Sequence, residues 1–224
     1  MRTKNNVQPI CAAALAGLLL TVFSASCTLA QLRPKPKASG KTISTARVGV
    51  VSSPLLGSVN RMMDKLNAMR FSGDPDFDYV LFIRNHHLAE IELSQEAVKT
   101  LKSDSLKQMA TMLISRKQTE VDKLEDALKQ IRPSRANQAF VQAQNQKLAA
   151  MKLNFQAGTL EKKLTGRVDD DYAIIMLEHQ RDAVDMTQDY LKYGQNQTLR
   201  ALAQRILANA QTDTEQLKAL MKRV

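Results

Sequence analysis

Residues 76–129 read DFDYVLFIRNHHLAEIELSQEAVKTLKSDSLKQMATMLISRKQTEVDKLEDALK, and residues 169–222 read DDDYAIIMLEHQRDAVDMTQDYLKYGQNQTLRALAQRILANAQTDTEQLKALMK. The two segments align without a gap at an offset of 93 residues, and 12 of the 54 aligned positions are identical. Average amino-acid usage would give about three or four identities. Because a helical hairpin that cannot bury its own apolar stripe packs against its twin, the repeat predicts one shared core.

The sequence around the repeat is also typical of helices. Aromatic residues make up 4% of the chain, and Gly (8) and Pro (6) are few, which leaves little material for a sheet. Apolar spacing predicts helices over 54–70, 76–101, 104–131, 169–193 and 198–223. Residues 135–164 have helical composition and fair periodicity, and Gly158 and Gly166 weaken the helical pattern at the end of this segment. We therefore predict an all-α protein whose core is a four-helix bundle, made from the duplicated hairpin about a pseudo-two-fold axis. The 135–164 segment is the expected helical crossover, and the extra N-terminal helix 54–70 is expected to cover one side.

The N-terminus, residues 1–27, is typical of a secretion signal. Arg2 and Lys4 precede an uncharged run from Cys11 to Phe23, which at thirteen residues is too short to span a bilayer comfortably. Two cleavage sites are open. Ala25-Ser26-Cys27 resembles the end of a bacterial lipobox, which would make Cys27 a lipidated anchor, and the alternative is ordinary cleavage after Ala30, which would remove Cys27 with the signal. An unmodified Cys27 in the mature protein would be a lone thiol in an oxidising compartment, which a lipid on its sulfur would explain. We favour the lipoprotein.

Residues 28–52 are expected to form a basic, flexible tether before the helical domain of residues 53–224. Five bases and no acid lie in 28–47, together with two prolines. Of the net charge of +10, only about +3 remains for the body from Gly49 onward, which is too little to indicate nucleic-acid binding. We expect an exported bacterial protein, periplasmic or anchored to the outer membrane through its N-terminal lipid.

The histidines lie on the apolar stripe of the first helix in each copy. That stripe includes Tyr79, His86 and Glu90 in the first copy, and Tyr172 and His179 at matching positions in the second. If the hairpins pack about a two-fold axis, the imidazoles of His86 and His179 approach each other near that axis. Metal-binding bundles place ligands on facing helices in this way, although a histidine on such a stripe is also a common hydrogen-bonded core residue.

The motifs on these helices resemble those of the domain-of-unknown-function family numbered 305. The family pattern is an acidic helix start followed by Met-x-x-His-His and Ala-Ile-x-Met. Here the corresponding stretches are Asp74–Tyr79 with Ile83–His87, and Asp169–Tyr172 with Met176–Gln180 and Met186. The resemblance implies an exported bundle of ferritin-like shape, and in some members copper binding through histidine and methionine.

Neither copy carries the full motif of that family. The first copy has Ile83 and Leu93 in place of the methionines, and the second has Gln180 in place of the second histidine. A metal site would therefore have to combine both copies, and the candidate ligands are His86, His87, His179, Met176, Met186 and Glu90. Met186 lies two turns beyond His179, about 10 Å along the helix, so it would belong to another coordination level. The alternative is a member that has lost its metal affinity and acts as a structural or interaction protein of the envelope.

Five further methionines allow two interpretations: filling core gaps or forming an accessory copper path. They are Met62, Met63, Met69, Met109 and Met112. Motifs of known enzymes are lacking, including a phosphate-binding glycine loop, a nucleophile elbow and the paired Glu-x-x-His elements of di-iron oxidases. We therefore expect a binding protein rather than an enzyme.

Overall fold

Six helices form the described part of the molecule, which a computed structural model covers over residues 53–156 and 158–222. They are α1 (Leu56–Ala68), α2 (Pro75–Thr100), α3 (Asp104–Gln130), α4 (Gln138–Phe155), α5 (Val168–Tyr193) and α6 (Gln197–Met221). These residues contain no strand, so the predicted all-α helical bundle is confirmed. The predicted signal segment, Cys27 and the tether lie outside the described residues.

The helices of the two hairpins begin and end at equivalent sequence signals. Ser103 accepts a hydrogen bond from the backbone N–H of Leu106 at the start of α3, and Asn196 does the same for Leu199 at the start of α6. These side chains satisfy donors that the first helical turn leaves free. Ser103 and Asn196 are 93 residues apart, so the turn is conserved between the copies even where its residue type differs.

The loop before each hairpin repeats as well, although it lies outside the aligned 54 residues. Gly73 and Gly166 have φ angles of +87° and +80°, a region that side-chain-bearing residues rarely adopt. Asp78 accepts a hydrogen bond from the Gly73 N–H at 2.7 Å, and Asp171 accepts one from the Thr165 N–H at 2.7 Å. The first-turn carboxylates thus bind the chain that leads into their own helices.

Reciprocal hydrogen bonds join the copies through the faces of α2 and α5. The Tyr79 hydroxyl pairs with Thr187 at 3.1 Å, and the Tyr172 hydroxyl pairs with Ser94 at 3.0 Å. All four side chains are buried. Since Tyr79 and Tyr172 are repeat counterparts, and so are Ser94 and Thr187, one contact is made twice. This is the pattern expected of a two-fold axis between the hairpins.

A second reciprocal contact closes the ends of the bundle. Asp76 at the start of α2 accepts the backbone N–H groups of the α5–α6 turn, and its counterpart Asp169 accepts those of the α2–α3 turn at 2.8 and 3.0 Å. The donors are Gln195 and Asn196 for the first, and Lys102 and Ser103 for the second. Each hairpin therefore holds the turn of the other through a charged acceptor.

The helices outside the four-helix core occupy equivalent places. α1 packs against α2, α4 packs against α5, and α1 also contacts α4. The helix of the expected crossover segment 135–164 ends at Phe155. The following chain contains Gly158 with a φ of +84°, which a helix does not accommodate. The helical crossover α4 between the two hairpins therefore packs on α5 much as α1 packs on α2, and the chain after Phe155 turns back to start α5.

Over residues 53–156 and 158–222, every helix is too short or too polar to traverse a lipid bilayer.

Replacing Gly194 with alanine is expected to destabilise the fold by about 1–3 kcal/mol, the usual range for overpacking. Gly194 ends α5 with an ordinary φ of −65°, but a Cβ there would overlap the Tyr190 ring. That ring stacks on Tyr79 with 4.0 Å between centroids, so its displacement disturbs the core. Urea unfolding measures the loss. The control is Gly57→Ala, where the nearest atom to a new Cβ is 3.4 Å away; equal losses would contradict the prediction.

Candidate metal centre

The two repeat-related histidines meet inside the bundle. The ring centroids of His86 on α2 and His179 on α5 are 4.9 Å apart, with 62° between their planes. Their exposed fractions are 4% and 1%. The predicted approach of the two imidazoles is therefore confirmed. Phe155 of α4 packs against His179 at 5.2 Å between centroids, and its counterpart in the first unit, Met62, lies beside His86.

His87 and Glu90 join His86 on the same helix. Each of the three offers one ligand atom, and these atoms lie within 4.8 Å of one another. The positions i, i+1 and i+4 bring these side chains to one end of the inward face, because 3.6 residues complete a turn. All three are buried. Two imidazoles and one carboxylate thus lie close together inside the protein, away from solvent.

A carboxylate on the next helix lies beside His87. The His87 Nε2 lies 3.0 Å from Glu120 Oε2 on α3, whereas its Nδ1 lies 4.0 Å from Glu90 Oε2. The Nε2 contact does not have the geometry of a hydrogen bond, so neither ring nitrogen of His87 has a hydrogen-bond partner among the described residues. A hydrogen on Nε2 would be on the side of Glu120 and would leave the Nδ1 lone pair facing Glu90. Metal-ligating histidines commonly donate their second N–H to a carboxylate, which fixes the ring and raises its basicity.

A buried lysine shares the pocket with these groups. Lys117 of α3 has an exposed fraction of 0%, and its Nζ lies 3.6 Å from Glu90 Oε2 and 3.5 Å from Glu120 Oε2. Gln180 of α5 donates a 2.6 Å hydrogen bond to the other Glu90 oxygen. The carboxylates of Glu90 and Glu120 therefore share one ammonium group, which can neutralise only one of them when both are ionised.

The imidazoles are neutral at physiological pH. Burial, with the nearby Lys117 charge, lowers the pKa of His87 to about 4 and that of His179 to about 3. Burial and the neighbouring histidines hold the pKa of His86 well below its usual value as well. Both ring nitrogens of His86, and Nδ1 of His179, have no hydrogen-bond partner among the described residues. Each neutral ring keeps one N–H and offers one lone pair.

The carboxylates differ in the pH at which they ionise. Burial raises the pKa of Glu90 to about 7, and the Lys117 charge only partly offsets this effect. Burial also opposes ionisation of Glu120, but the close contact with His87 and the Lys117 charge outweigh it and lower the Glu120 pKa to about 2. For Lys117 itself, burial favours the neutral form, yet the surrounding carboxylates raise its pKa. Glu120 is thus a fixed anion, whereas Glu90 can take up a proton near neutrality.

The side of the pocket between α3 and α6 is closed by another reciprocal pair. Asn209 of α6 donates a 2.7 Å hydrogen bond to Glu120, and Arg116 of α3 forms an ion pair with Asp213 of α6. Arg116 and Asn209 are repeat counterparts, and so are Glu120 and Asp213. Each acidic residue in the inner stripe therefore receives a donor from the opposite copy.

The two methionines of the second copy lie in the hydrophobic core. Met176 has an exposed fraction of 0%, and it lies three residues before His179 on the same helix face. Met186 is also buried, seven residues after His179. His86, His87 and Glu90 therefore form one group, and His179 lies beside it. Met176 and Met186 are buried on α5, before and after His179 along the helix.

The family model described as "Domain of unknown function (DUF305)" matches residues 76–221, about two thirds of the chain. The chain belongs to this family. Comparison with curated proteins and with solved structures gave no significant match. The matched residues of this DUF305 protein run from the start of α2 to the end of α6, so they include every side chain in the pocket.

Sequence reasoning did not identify Lys117 and Glu120 as pocket residues, although with Glu90 they are its charged groups. Both lie on the apolar stripe of α3, in the series that also contains Leu113 and Leu124. A lysine and a glutamate at such positions are rarely buried without partners. That signal was available, and the repeat alignment already pairs Glu120 with the acidic Asp213 in the second copy.

Replacing Lys117 with methionine is expected to destabilise this DUF305 protein by about 3–5 kcal/mol at pH 8, because two buried carboxylates lose their counter-ion. The loss should be smaller at pH 5, since Glu90, with its pKa of about 7, is then protonated and carries no charge to be balanced. Denaturant unfolding at both pH values measures the effect.

The matched control is Lys123→Met, which removes an exposed lysine from the same helix. Surface substitutions of this kind change stability by about 0.5 kcal/mol or less. Equal losses for the two variants, or a loss at Lys117 that does not depend on pH, would contradict a charge-balanced pocket.

Proposed function

We propose that this protein binds or buffers a transition-metal ion, with copper as the first candidate, at the pocket between its two hairpins. The observation that carries the proposal is the cluster of His86, His87 and Glu90, which are all buried and whose ligand atoms lie within 4.8 Å of one another. The Glu120 carboxylate lies 3.0 Å from His87 Nε2, the place that an outer carboxylate commonly takes beside a metal-binding histidine. The proposed role is binding, not catalysis.

The donor set supports a borderline ion. Imidazole nitrogen suits copper, zinc and iron, and a single carboxylate is compatible with each of them. His86, His87 and Glu90 would hold the ion, with His179 as the additional imidazole from the other copy. Copper is favoured because the surrounding core is rich in methionine, whose thioether sulfur selects the monovalent form. Met176 would then lie near the ion without being one of its ligands.

One observation favours the alternative, a metal-free structural protein of the envelope. The Lys117 ammonium lies within 3.6 Å of the Glu90 oxygen that would bind the metal, and a cation there repels a second cation. In that case the histidines are packing residues, and Lys117 is the permanent counter-ion of both carboxylates. Replacing His179 would then lower thermal stability without changing the metal content of the purified protein.

Chelator competition on the metal-free, full-length protein separates the two functions. We expect one equivalent of copper to bind, and we expect His87→Gln with Glu90→Ala to reduce its affinity by at least tenfold. These substitutions install the residues of the second copy, Gln180 and Ala183, so they are compatible with the backbone. The wild-type protein purified from its native source should also contain copper by elemental analysis.

The matched control is Glu92→Gln. It removes a carboxylate on the outer side of α2, which forms ion pairs with Arg61 and Lys65 of α1. Its copper affinity should equal that of the wild type. Failure of the wild-type protein to compete with a weak chelator would refute the metal-binding function. So would an affinity unchanged by His86→Ala combined with His179→Ala in a variant that retains its helical circular dichroism.

We also propose that the protein is exported and held at the membrane by a lipid on Cys27. The support is the sequence pattern of residues 1–27 and the basic stretch that follows, which would lie against anionic headgroups. A diacylglycerol thioether with a further acyl chain anchors firmly, where one chain alone would not.

Expressing the protein in a bacterium with labelled palmitate tests the anchor. We expect label on the wild-type protein and none on Cys27→Ser, because the thioether needs the sulfur. Cys11→Ser, within the expected hydrophobic run, is the control and should retain the label. An unlabelled wild-type protein whose mature N-terminus is Gln31 would show instead that cleavage follows Ala30.

A further inference from the structure

The face of the bundle formed by α3 and α6 carries a groove. α1 packs against α2 and α4 packs against α5, whereas α3 and α6 pack mainly against their hairpin partners and contact each other sparsely. One cavity in this groove, between the second half of α3 and the first half of α6, has a volume of about 420 Å³. Small-molecule sites usually have volumes of about 300–1,000 Å³, so this cavity is large enough for a ligand.

The cavity combines an apolar floor with two cations. Leu199 and Leu202 of α6 form part of the floor, with exposed fractions of 2% and 6%. Lys123 of α3 and Arg205 of α6 line the cavity from facing helices, and both side chains are exposed. A ligand in this place would therefore meet apolar surface and positive charge together.

The charges of Lys123 and Arg205 are not balanced by acidic neighbours. Neither forms an ion pair with a described residue, unlike Lys129 of the same helix, whose Nζ lies 2.8 Å from Asp126. Asp126 also lines the cavity, but its charge is taken up by that contact. The cavity thus has a net positive charge that is available to an anion.

The repeat provides a matching cavity that lacks these cations. It lies at the other end of the groove and has a volume of about 370 Å³. Gln216 stands there at the position of Lys123, and Met112 stands at the position of Arg205. The two cavities therefore occupy equivalent places on the helices, and the pair of cations is confined to one of them.

We propose that the cavity between Lys123 and Arg205 binds a medium-chain fatty carboxylate. The carboxylate group lies between the two cations, since a guanidinium group suits a carboxylate in geometry as well as in charge. The hydrocarbon chain covers Leu199 and Leu202. The wall of α3 from Lys123 to Gln130 is about 10 Å long, which suits a chain of medium length. None of the histidines lines this cavity, so the inference is independent of the proposed metal binding.

Charge decides between the occupants that this face could have. The stretch 28–47 of the same chain has five bases and no acid, so it carries the same charge as the cavity. A second copy of the protein would bring the same unpaired Lys123 and Arg205 to the interface, and like charges there oppose association. An anion with an apolar body complements both the cations and the floor.

Isothermal titration of the full-length protein with decanoate, below its micelle concentration, tests the site. We expect one equivalent to bind, and we expect 1-decanol, which has the chain without the charge, to bind at least tenfold more weakly. Nuclear Overhauser effects should connect the decanoate chain with the methyl groups of Leu199 and Leu202. Absence of decanoate binding, equal binding of the alcohol, or contacts only to other residues would overturn the proposal.

Lys123→Gln with Arg205→Met installs the residues of the matching cavity, so it is compatible with the backbone. It should weaken decanoate binding by at least tenfold. The matched control is Lys152→Gln with Lys162→Met, which removes two exposed lysines outside the groove and should leave the affinity unchanged. Equal losses in the two variants would show unspecific attraction by net charge, and no loss in the first would show that its cations are not used; either result refutes the site.

The reciprocal variant transfers the cations to the other end of the groove. Met112→Arg with Gln216→Lys should bind a second equivalent of decanoate, because the matching cavity then has the same pair of charges. A single equivalent would contradict the role of the charges. Sedimentation of the wild type tests the remaining occupant: a dimer that decanoate neither enters nor dissociates would assign this face to a second copy and overturn the proposal.

Discussion

The fold depends on each hairpin satisfying the buried polar groups of the other. Tyr79 and Tyr172 have hydroxyl groups in the interior that no residue of their own helices satisfies, and each finds its partner across the axis. Burying a hydroxyl without such a partner costs roughly 1–3 kcal/mol. A single hairpin would bear that cost at every polar position of its stripe, whereas the paired hairpins avoid it. The reciprocal bonds therefore also specify the register between α2 and α5.

The sequence predicts the fold well because its signals are local. Pro75, Ser103 and Gly194 stand at the ends of helices, and the gapless repeat shows which segments pack together. The end of α4 could be placed only approximately, because Gly158 indicates a weakened helix near residue 158 but composition alone does not show at which residue the chain turns toward its next partner. The equivalence of α1 and α4 was also hidden, since their places match although their residues do not.

For the candidate site, too, some contacts could be predicted from the sequence and others could not. His86 and His179 could be predicted to meet because they occupy one position of an apolar stripe in both copies. The Lys117–Glu90 contact could not, because it depends on how far α2 and α3 slide and rotate against each other, which the period of either helix leaves open. A buried ion pair is weak evidence of stability, since its desolvation cancels much of its attraction. Its retention here calls for another cause, such as a role for the charges in the pocket.

The distribution of differences between the copies supplies that cause. Three polar side chains of the first copy gather in the pocket, and the second copy provides smaller or neutral residues at the matching positions. The first set is His87, Glu90 and Lys117, and the second is Gln180, Ala183 and Ala210. At the matching positions Ala183 and Ala210 bring only a methyl group each to the interior, and Gln180 donates to Glu90. The copies also differ at other buried positions, such as Ala89 and Asp182, and the second copy adds the buried Asp213 beside the pocket. At these three positions the first copy thus carries charged or titratable groups where the second carries neutral ones, so the symmetry that builds the bundle is broken where a ligand would need unlike neighbours.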